Sequence, residues 1–345
     1  MSDSEAVRTK KYFIGANTSA GFINYGDDIF ANLKKLYVIK GGPGTGKSTF
    51  MKKIAEKAEE KGHDVEYYYC SSDPSSLDGV VIPSLGIGVT DGTPPHIFEA
   101  RYPGAKEEYL NLGEFWNSDF LSLCRDRIEE ISGKKGRCFS SAYKYLSVSE
   151  SVRAEKERTL LTCYEKEKAE KAVCRFMKTV GIGTKHALIP RQISAFSMNG
   201  ESDFDTYKAE CNRVIYIRDK RGIATFLFDE IIKKAAEQKL KMHVSRDCLY
   251  RVNAVAFPEK SVAVLLGDGD NVINSERFIA NEKLGDVRKK LRFLTALENE
   301  LRDCALSELR QAKEYHFILE DIYKEAMDFR SLEKMEKAFI LKIIK

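Results

Sequence analysis

The sequence predicts an α/β protein of two units with mainly parallel sheets, each followed by a helical extension, the second unit being degenerate. Three observations predict it. A β-branched run, Leu36-Tyr37-Val38-Ile39, leads through a glycine-rich loop into an amphipathic helix from Phe50 to Ala58. Displacing the chain by 178 residues lays a second strand, loop and helix over the first. After each of these stretches come long segments in which apolar residues recur every three or four positions, the spacing of helices with one buried face. A chain of 345 residues accommodates two domains of ordinary size, with cores that need neither disulfides nor metals. We place the first at residues 1–182, with a helical insert at 105–180, and the second at 183–345, joined near Gly181 to Pro190 where glycines and a proline cluster.

The first unit carries the chemistry. Its loop reads Lys40-Gly41-Gly42-Pro43-Gly44-Thr45-Gly46-Lys47-Ser48-Thr49, so Gly41, Gly46, Lys47 and Ser48 fill the template G-x-x-x-x-G-K-[ST] between a strand and a helix. Gly42, Gly44, Thr45, Gly46 and Thr49 supply backbone N–H groups that can curl around a phosphate, aided by the positive end of the helix that follows. Lys47 adds a point charge for the outer phosphates, and the Ser48 hydroxyl is a ligand for the Mg²⁺ that accompanies a nucleoside triphosphate.

The next strand is Asp64 to Cys70, entered through Gly62 and expected to pair with the first strand as a right-handed β-α-β unit. It runs out into Ser71-Ser72-Asp73-Pro74, where Asp73 serves either as a base or metal-shell carboxylate or simply as the opening residue of a turn. The apolar stretch through Leu85 to Thr90 ends in Asp91, placed as the carboxylate at a strand tip that holds the magnesium shell. His96 sits in a loop beside prolines and reads as a hydrogen-bonding residue. Arg101, Arg125, Arg127 and Arg137 lie in the charged stretch that follows, and none of them is assigned a catalytic role.

In the second unit the strand Val214 to Ile217 leads to Asp219-Lys220-Arg221-Gly222-Ile223-Ala224-Thr225-Phe226. Asp219 replaces the first glycine, Thr225 the lysine and Phe226 the hydroxyl, so this loop is not expected to hold a triphosphate. Asp268-Gly269 is read as the counterpart of Asp91-Gly92, and helices from 283 to 345 as the counterpart of the insert.

The remaining composition excludes more than it names. Lys and Arg number 56 against 52 Asp and Glu, a net +4 that points to neither nucleic acid nor an anionic membrane. No apolar stretch is long enough to span a membrane, and the polar N-terminal residues lack a signal-peptide core, so a cytoplasmic location is expected. The eight cysteines show no metal-ligand spacing and are expected to be reduced.

The loop at 40–49 resembles the P-loop NTPase superfamily. With Cys70-Ser71-Ser72-Asp73, Ser76-Leu77-Asp78-Gly79 and Asp91-Gly92-Thr93-Pro94-Pro95-His96, the chain further resembles a little-characterised family of bacterial tandem P-loop ATPases. The resemblance implies ATP and Mg²⁺ as ligands, and an intact loop in each half, from which the second half departs. The expected function is ATP hydrolysis with Lys47, Asp91 and Asp73 in catalytic or supporting roles and Ser48 and Asp91 at the metal. Two alternatives are transfer of the γ-phosphoryl group to a nucleotide or small molecule, and nucleotide-gated regulation or scaffolding through a protein partner. The absence of an Asn-Lys-x-Asp guanine motif disfavours a GTPase of the Ras type and leaves adenine as the assumed base.

Overall fold

The computed structural model describes residues 8–94 and 98–344. The first half runs β1 (Thr9–Phe13), a hairpin of β2 (Gly15–Thr18) and β3 (Gly21–Asn24), α1 (Gly26–Phe30), β4 (Lys35–Lys40), α2 (Lys47–Glu60), β5 (Val65–Tyr69), β6 (Leu77–Ile82), β7 (Ile87–Asp91) and β8 (Glu107–Asn111). A short 3-10 turn, α3 (Ser118–Leu123), the long α4 (Arg125–Leu161) and α5 (Lys166–Val180) complete it. The second half then gives β9 (Ala187–Pro190), a hairpin of β10 (Ser194–Ser197) and β11 (Gly200–Asp203), α6 (Thr206–Glu210), β12 (Arg213–Arg218), α7 (Ala224–Glu237) and β13 (Lys241–Arg246). It ends with β14 (Val252–Phe257), β15 (Val262–Leu266), β16 (Val272–Asn274), the long α8 (Asn281–Ala326) and α9 (Phe329–Ile343).

Among the described residues there are two six-stranded sheets, ordered β1-β5-β6-β7-β4-β8 and β9-β13-β14-β15-β12-β16. Position for position these are the same order. In each, one strand, β6 or β14, runs antiparallel to both neighbours and the other pairings are parallel. β4 is apolar through its middle because both its faces are covered, as a central parallel strand requires. The expected β-α-β unit is corrected: β5 does not lie beside β4, since the hairpin β6-β7 is inserted between them. β8 falls within the stretch expected to be a helical insert, and β9 within the expected linker. Both form edges, where a short strand shows little apolar patterning.

Inner faces of the two sheets share one core, in which Leu36, Val38, Tyr68 and Val81 meet Ala254, Ala256, Ala263 and Leu265. Outer faces are covered by helices, giving a helix, sheet, sheet, helix sandwich. On the first sheet α2 buries Phe50, Met51, Ile54, Ala55 and Ala58, one stripe at helical spacing. The second helix on that sheet is α9, from the far end of the chain: Phe339 packs edge-on against Tyr37 and Phe50 at centroid distances of 4.8 and 5.5 Å. Conversely α5, from the first half, sends Val173, Phe176 and Met177 into the core of the second sheet with Leu227 and Phe228 of α7.

This exchange is made by the two long helices, which lie antiparallel to each other. Cys138 faces Gln311, Ser149 faces Glu298, and Glu155 faces Lys290, one number falling as the other rises. Ala142 and Leu146 of α4 meet Ala305 and Leu309 of α8, all fully buried. Matching backbone bridges join Trp116 to Met327 and Tyr164 to Ile279 at the two ends. The extension that follows each sheet therefore closes the other sheet. All eight cysteines are free, and no described helix is long and apolar enough to cross a membrane.

Candidate active site

The loop between β4 and α2 opens on a cavity of about 850 Å³. Gly44 and Gly46 take left-handed φ values of 71° and 94°, which turn successive N–H groups inward. None of the N–H groups of Gly44, Thr45, Gly46 and Lys47 donates to another described residue. The loop is braced from inside, since Thr45 Oγ1 donates to the Gly42 carbonyl at 2.8 Å. Lys47 Nζ donates to the carbonyl oxygens of Gly41 at 2.9 Å and Gly42 at 2.7 Å, and stands 3.6 Å from Asp91 Oδ2. Ser48 Oγ accepts the Leu77 N–H at 2.9 Å, which ties the start of α2 to β6, and Thr49 also lines the cavity.

Asp91 is at the last position of β7, where Ile39 of β4 is its register partner. Thr93 fixes one of its oxygens with an N–H at 2.8 Å and a hydroxyl at 2.6 Å. Burial raises its carboxyl above the ordinary range; the Lys47 charge opposes that and the nearby Asp78 carboxylate adds to it. Asp78, buried in β6, lines the same cavity. The Ser48 hydroxyl with the Asp78 and Asp91 carboxylates makes a set of hard oxygen donors of the kind Mg²⁺ takes. Among the described residues no group of three or more His, Cys, Asp or Glu is placed to hold a metal ion by itself. Asp73 also borders the cavity, with its carboxylate engaged in a turn, accepting the Ser75 N–H and hydroxyl.

The far wall comes from the two long helices. Ser132, Lys135 and Phe139 project from one face of α4, and His316, Glu320, Tyr323 and Lys324 from α8. The approach of α8 is close: a Cβ on Gly44 would fall 2.6 Å from the Glu320 carbonyl oxygen, and one on Gly42 would fall 2.5 Å from the Tyr323 ring. The glycines therefore serve the helix packing as well as the loop. Glu320 is held as a carboxylate, its pKa drawn down to about 2 by hydrogen bonding to His316 and Lys324.

The equivalent loop of the second half is filled by its own side chain. Asp219 accepts the N–H groups of Arg221 and Gly222 at 3.0 Å and of Ala224 at 2.7 Å, and the Ser275 hydroxyl at 3.1 Å. A carboxylate thus sits where the helix N-terminus would otherwise receive an anion. Asp219, the residue in place of the first glycine, is the occupant of its own loop. Above it, Glu298 of α8 is buried and binds Arg153, with Nε at 2.9 Å, and Lys156, with Nζ at 3.1 Å, both from α4.

Strand register corrects one equivalence. Ile39 pairs with Asp91, and its counterpart Ile217 pairs with Leu266, so Leu266 rather than Asp268 takes the carboxylate position. Asp268 lies beyond the strand, in an exposed pair with Arg218. Likewise Gly79 faces Thr90 where Ala254 faces Leu265, which sets Asn253 in the place of Asp78. The second half retains a different cavity of about 510 Å³, bordered by Arg153, Asn253, Leu266 and Arg302 among others.

The structure brings Gly42, Gly44, Thr45, Gly46, Lys47, Ser48, Thr49, Asp73 and Asp91 around one cavity. Arg101 and Arg125 pair with Asp27 and Glu129 on the surface, and Arg127 and Arg137 do not line it. His96 and Pro95 lie outside the described residues. Sequence reasoning passed over Asp78, Lys135 and the α8 wall. Asp78 was visible in Ser76-Leu77-Asp78-Gly79; the others sit on charged helices with no local signal.

Residues 28–80, covering α1 through β6, match the model of the family Nephrocystin 3, N-terminal. No curated protein and no solved structure matches the chain.

Proposed function

We propose that the cavity at Gly41–Thr49 binds ATP with Mg²⁺ and that the protein is a Mg-dependent ATPase of the P-loop type. One observation carries this reading most: inward N–H groups with no acceptor among the described residues, a half-buried lysine and two buried carboxylates all meet in one cavity. The free N–H groups cradle the β-phosphate, and Lys47 exchanges its two carbonyl contacts for phosphate oxygens. Ser48, Asp78 and Asp91 hold the magnesium ion and its water ligands; the ion, when bound, neutralises charge on the outer phosphates. Water adds to the γ-phosphorus as the bond to the bridging oxygen breaks, and ADP leaves with that electron pair. Helices α4 and α8 cover the cavity and limit the entry of bulk water.

A second reading is favoured by the α8 wall. Because Glu320 and Tyr323 lie directly on Gly44 and Gly42, occupancy would be felt by a helix anchored in the other half, as a nucleotide-gated regulator requires. Phosphorus NMR of the protein with ATP, Mg²⁺ and a pool of nucleosides and nucleotides separates these, with Lys47→Ala run alongside. Free phosphate that depends on Lys47 is the expected result. A new phosphoester would make the protein a kinase, and ATP binding without turnover would favour the regulator. Full turnover by Lys47→Ala would remove the site assignment.

A further inference from the structure

Two lysines face the cavity, one from the loop and one from α4. Lys135 is half-buried on the face of α4 that also presents Ser132 and Phe139 to the cavity. Among the described residues no carboxylate pairs with its ammonium, whereas Lys47 has Asp91, and His316 and Lys324 both have Glu320. Burial, and then the charge of Lys47, lowers its pKa. A lysine held in a cavity beside a second lysine is a cation waiting for an anion from outside the protein.

The other half shows what that position does when it is satisfied. The correspondence that lays Trp116 on Ile279 and Tyr164 on Met327 lays Lys135 on Glu298. Glu298 is the buried carboxylate that neutralises Arg153 and Lys156 above the filled loop. Where the loop carries its own carboxylate, the facing helix position is tied into a closed set of charges within the protein. Where the loop is open, the same position carries an unpaired positive charge.

We propose that Lys135 contacts the terminal phosphate of the bound nucleotide, as a cation supplied by the chain's own helix α4, and stabilises the charge that moves during cleavage. This rests on the nucleotide reading of the cavity. It is a contact that a triphosphate makes and a diphosphate does not, so it also gives the site its preference for the triphosphate.

The test measures the affinity of full-length protein for the β,γ-imido analogue of ATP and for ADP, together with turnover, in wild type, Lys135→Ala, Lys135→Arg and Lys47→Ala. Lys135→Ala is expected to weaken the triphosphate analogue roughly tenfold, leave ADP almost unchanged and lower kcat roughly a hundredfold, with Arg restoring part of each. Equal weakening of both nucleotides, or no change in their ratio and in kcat, would overturn the assignment and leave Lys135 a packing residue. If wild type binds and Lys47→Ala does not, while Lys135→Ala is indistinguishable from wild type, only the Lys135 assignment fails. If wild type binds neither nucleotide, the reading of the cavity fails and this one with it.

Discussion

The loops at 41–49 and 219–224 begin from matching strands and lead into matching helices, yet one is open and the other closed by a carboxylate. The first leaves its N–H groups without acceptors among the described residues and surrounds them with Lys47 and Lys135. The second spends its N–H groups on Asp219 and its facing cations on Glu298. The difference teaches that the chain supplies an anion to one helix N-terminus and none to the other, which is where we propose that a ligand brings it. The buried strand carboxylates follow the same division, Asp78 and Asp91 on one side against Asn253 and Leu266 on the other.

The largest break in this comparison is at Glu298. Glu298→Ala strands Arg153 and Lys156 in a buried position and is expected to destabilise the protein by about 3–5 kcal/mol, read from the urea midpoint. Lys135→Ala at the matching position removes no partner and should move that midpoint little. Comparable losses in the two variants would show that the first half is as internally compensated as the second.

Asp219→Ala comes next. It takes the acceptor from three N–H groups and one hydroxyl at the start of α7, a loss of about 2–3 kcal/mol. Added sulfate or phosphate should restore part of it in the variant and not in wild type. A variant as stable as wild type would mean that the carboxylate does not hold the loop.

Acid gives a smaller effect that separates the sheets. His243 of β13 occupies the place of Glu66 in β5, and burial followed by the charges of Arg191, Lys10 and Lys241 lowers its pKa to about 3. Its folded value lies below the unfolded one, so the unfolded chain binds the extra proton. Stability is complete above the ordinary histidine value near 6.5 and falls as pH drops from there toward 3. At pH 5 the loss is on the order of 2 kcal/mol. Hydrogen exchange should therefore quicken in β9, β13 and β14 before it does in β1, β5 and β6, and His243→Phe should remove the difference.

The open loop was legible because its chemistry is local: glycines, a lysine and a serine at fixed spacing between a strand and a helix. Asp91 was legible because a strand tip is marked by the end of an apolar run. Asp78 stands in Ser76-Leu77-Asp78-Gly79, but a carboxylate inside a buried strand has no spacing that marks it as facing the loop. The loop-facing residues of α4 and α8 could not be found locally because Lys135 and Glu320 owe their place to the antiparallel pairing of two helices far apart in the chain. One fixed displacement between the halves also slips after the loop, because Arg218 to Ala224 is shorter than Lys40 to Lys47. The connection from Arg246 to Val252 is shorter by two residues than that from Tyr69 to Leu77, and this second slip is what separates Asp268 from the place that Leu266 holds.

The crossing of the long helices has a consequence for the order in which the protein is made. Synthesis delivers the Gly41–Thr49 loop early, but its wall includes Glu320 and Tyr323, and the sheet behind it is closed by Phe339 and Ile340. A nascent chain still lacking these residues carries the whole glycine-rich loop without the far wall of its cavity. On the ribosome, therefore, the first half must wait with the outer face of its sheet covered by α2 alone until α8 and α9 emerge, and the cavity is finished only then.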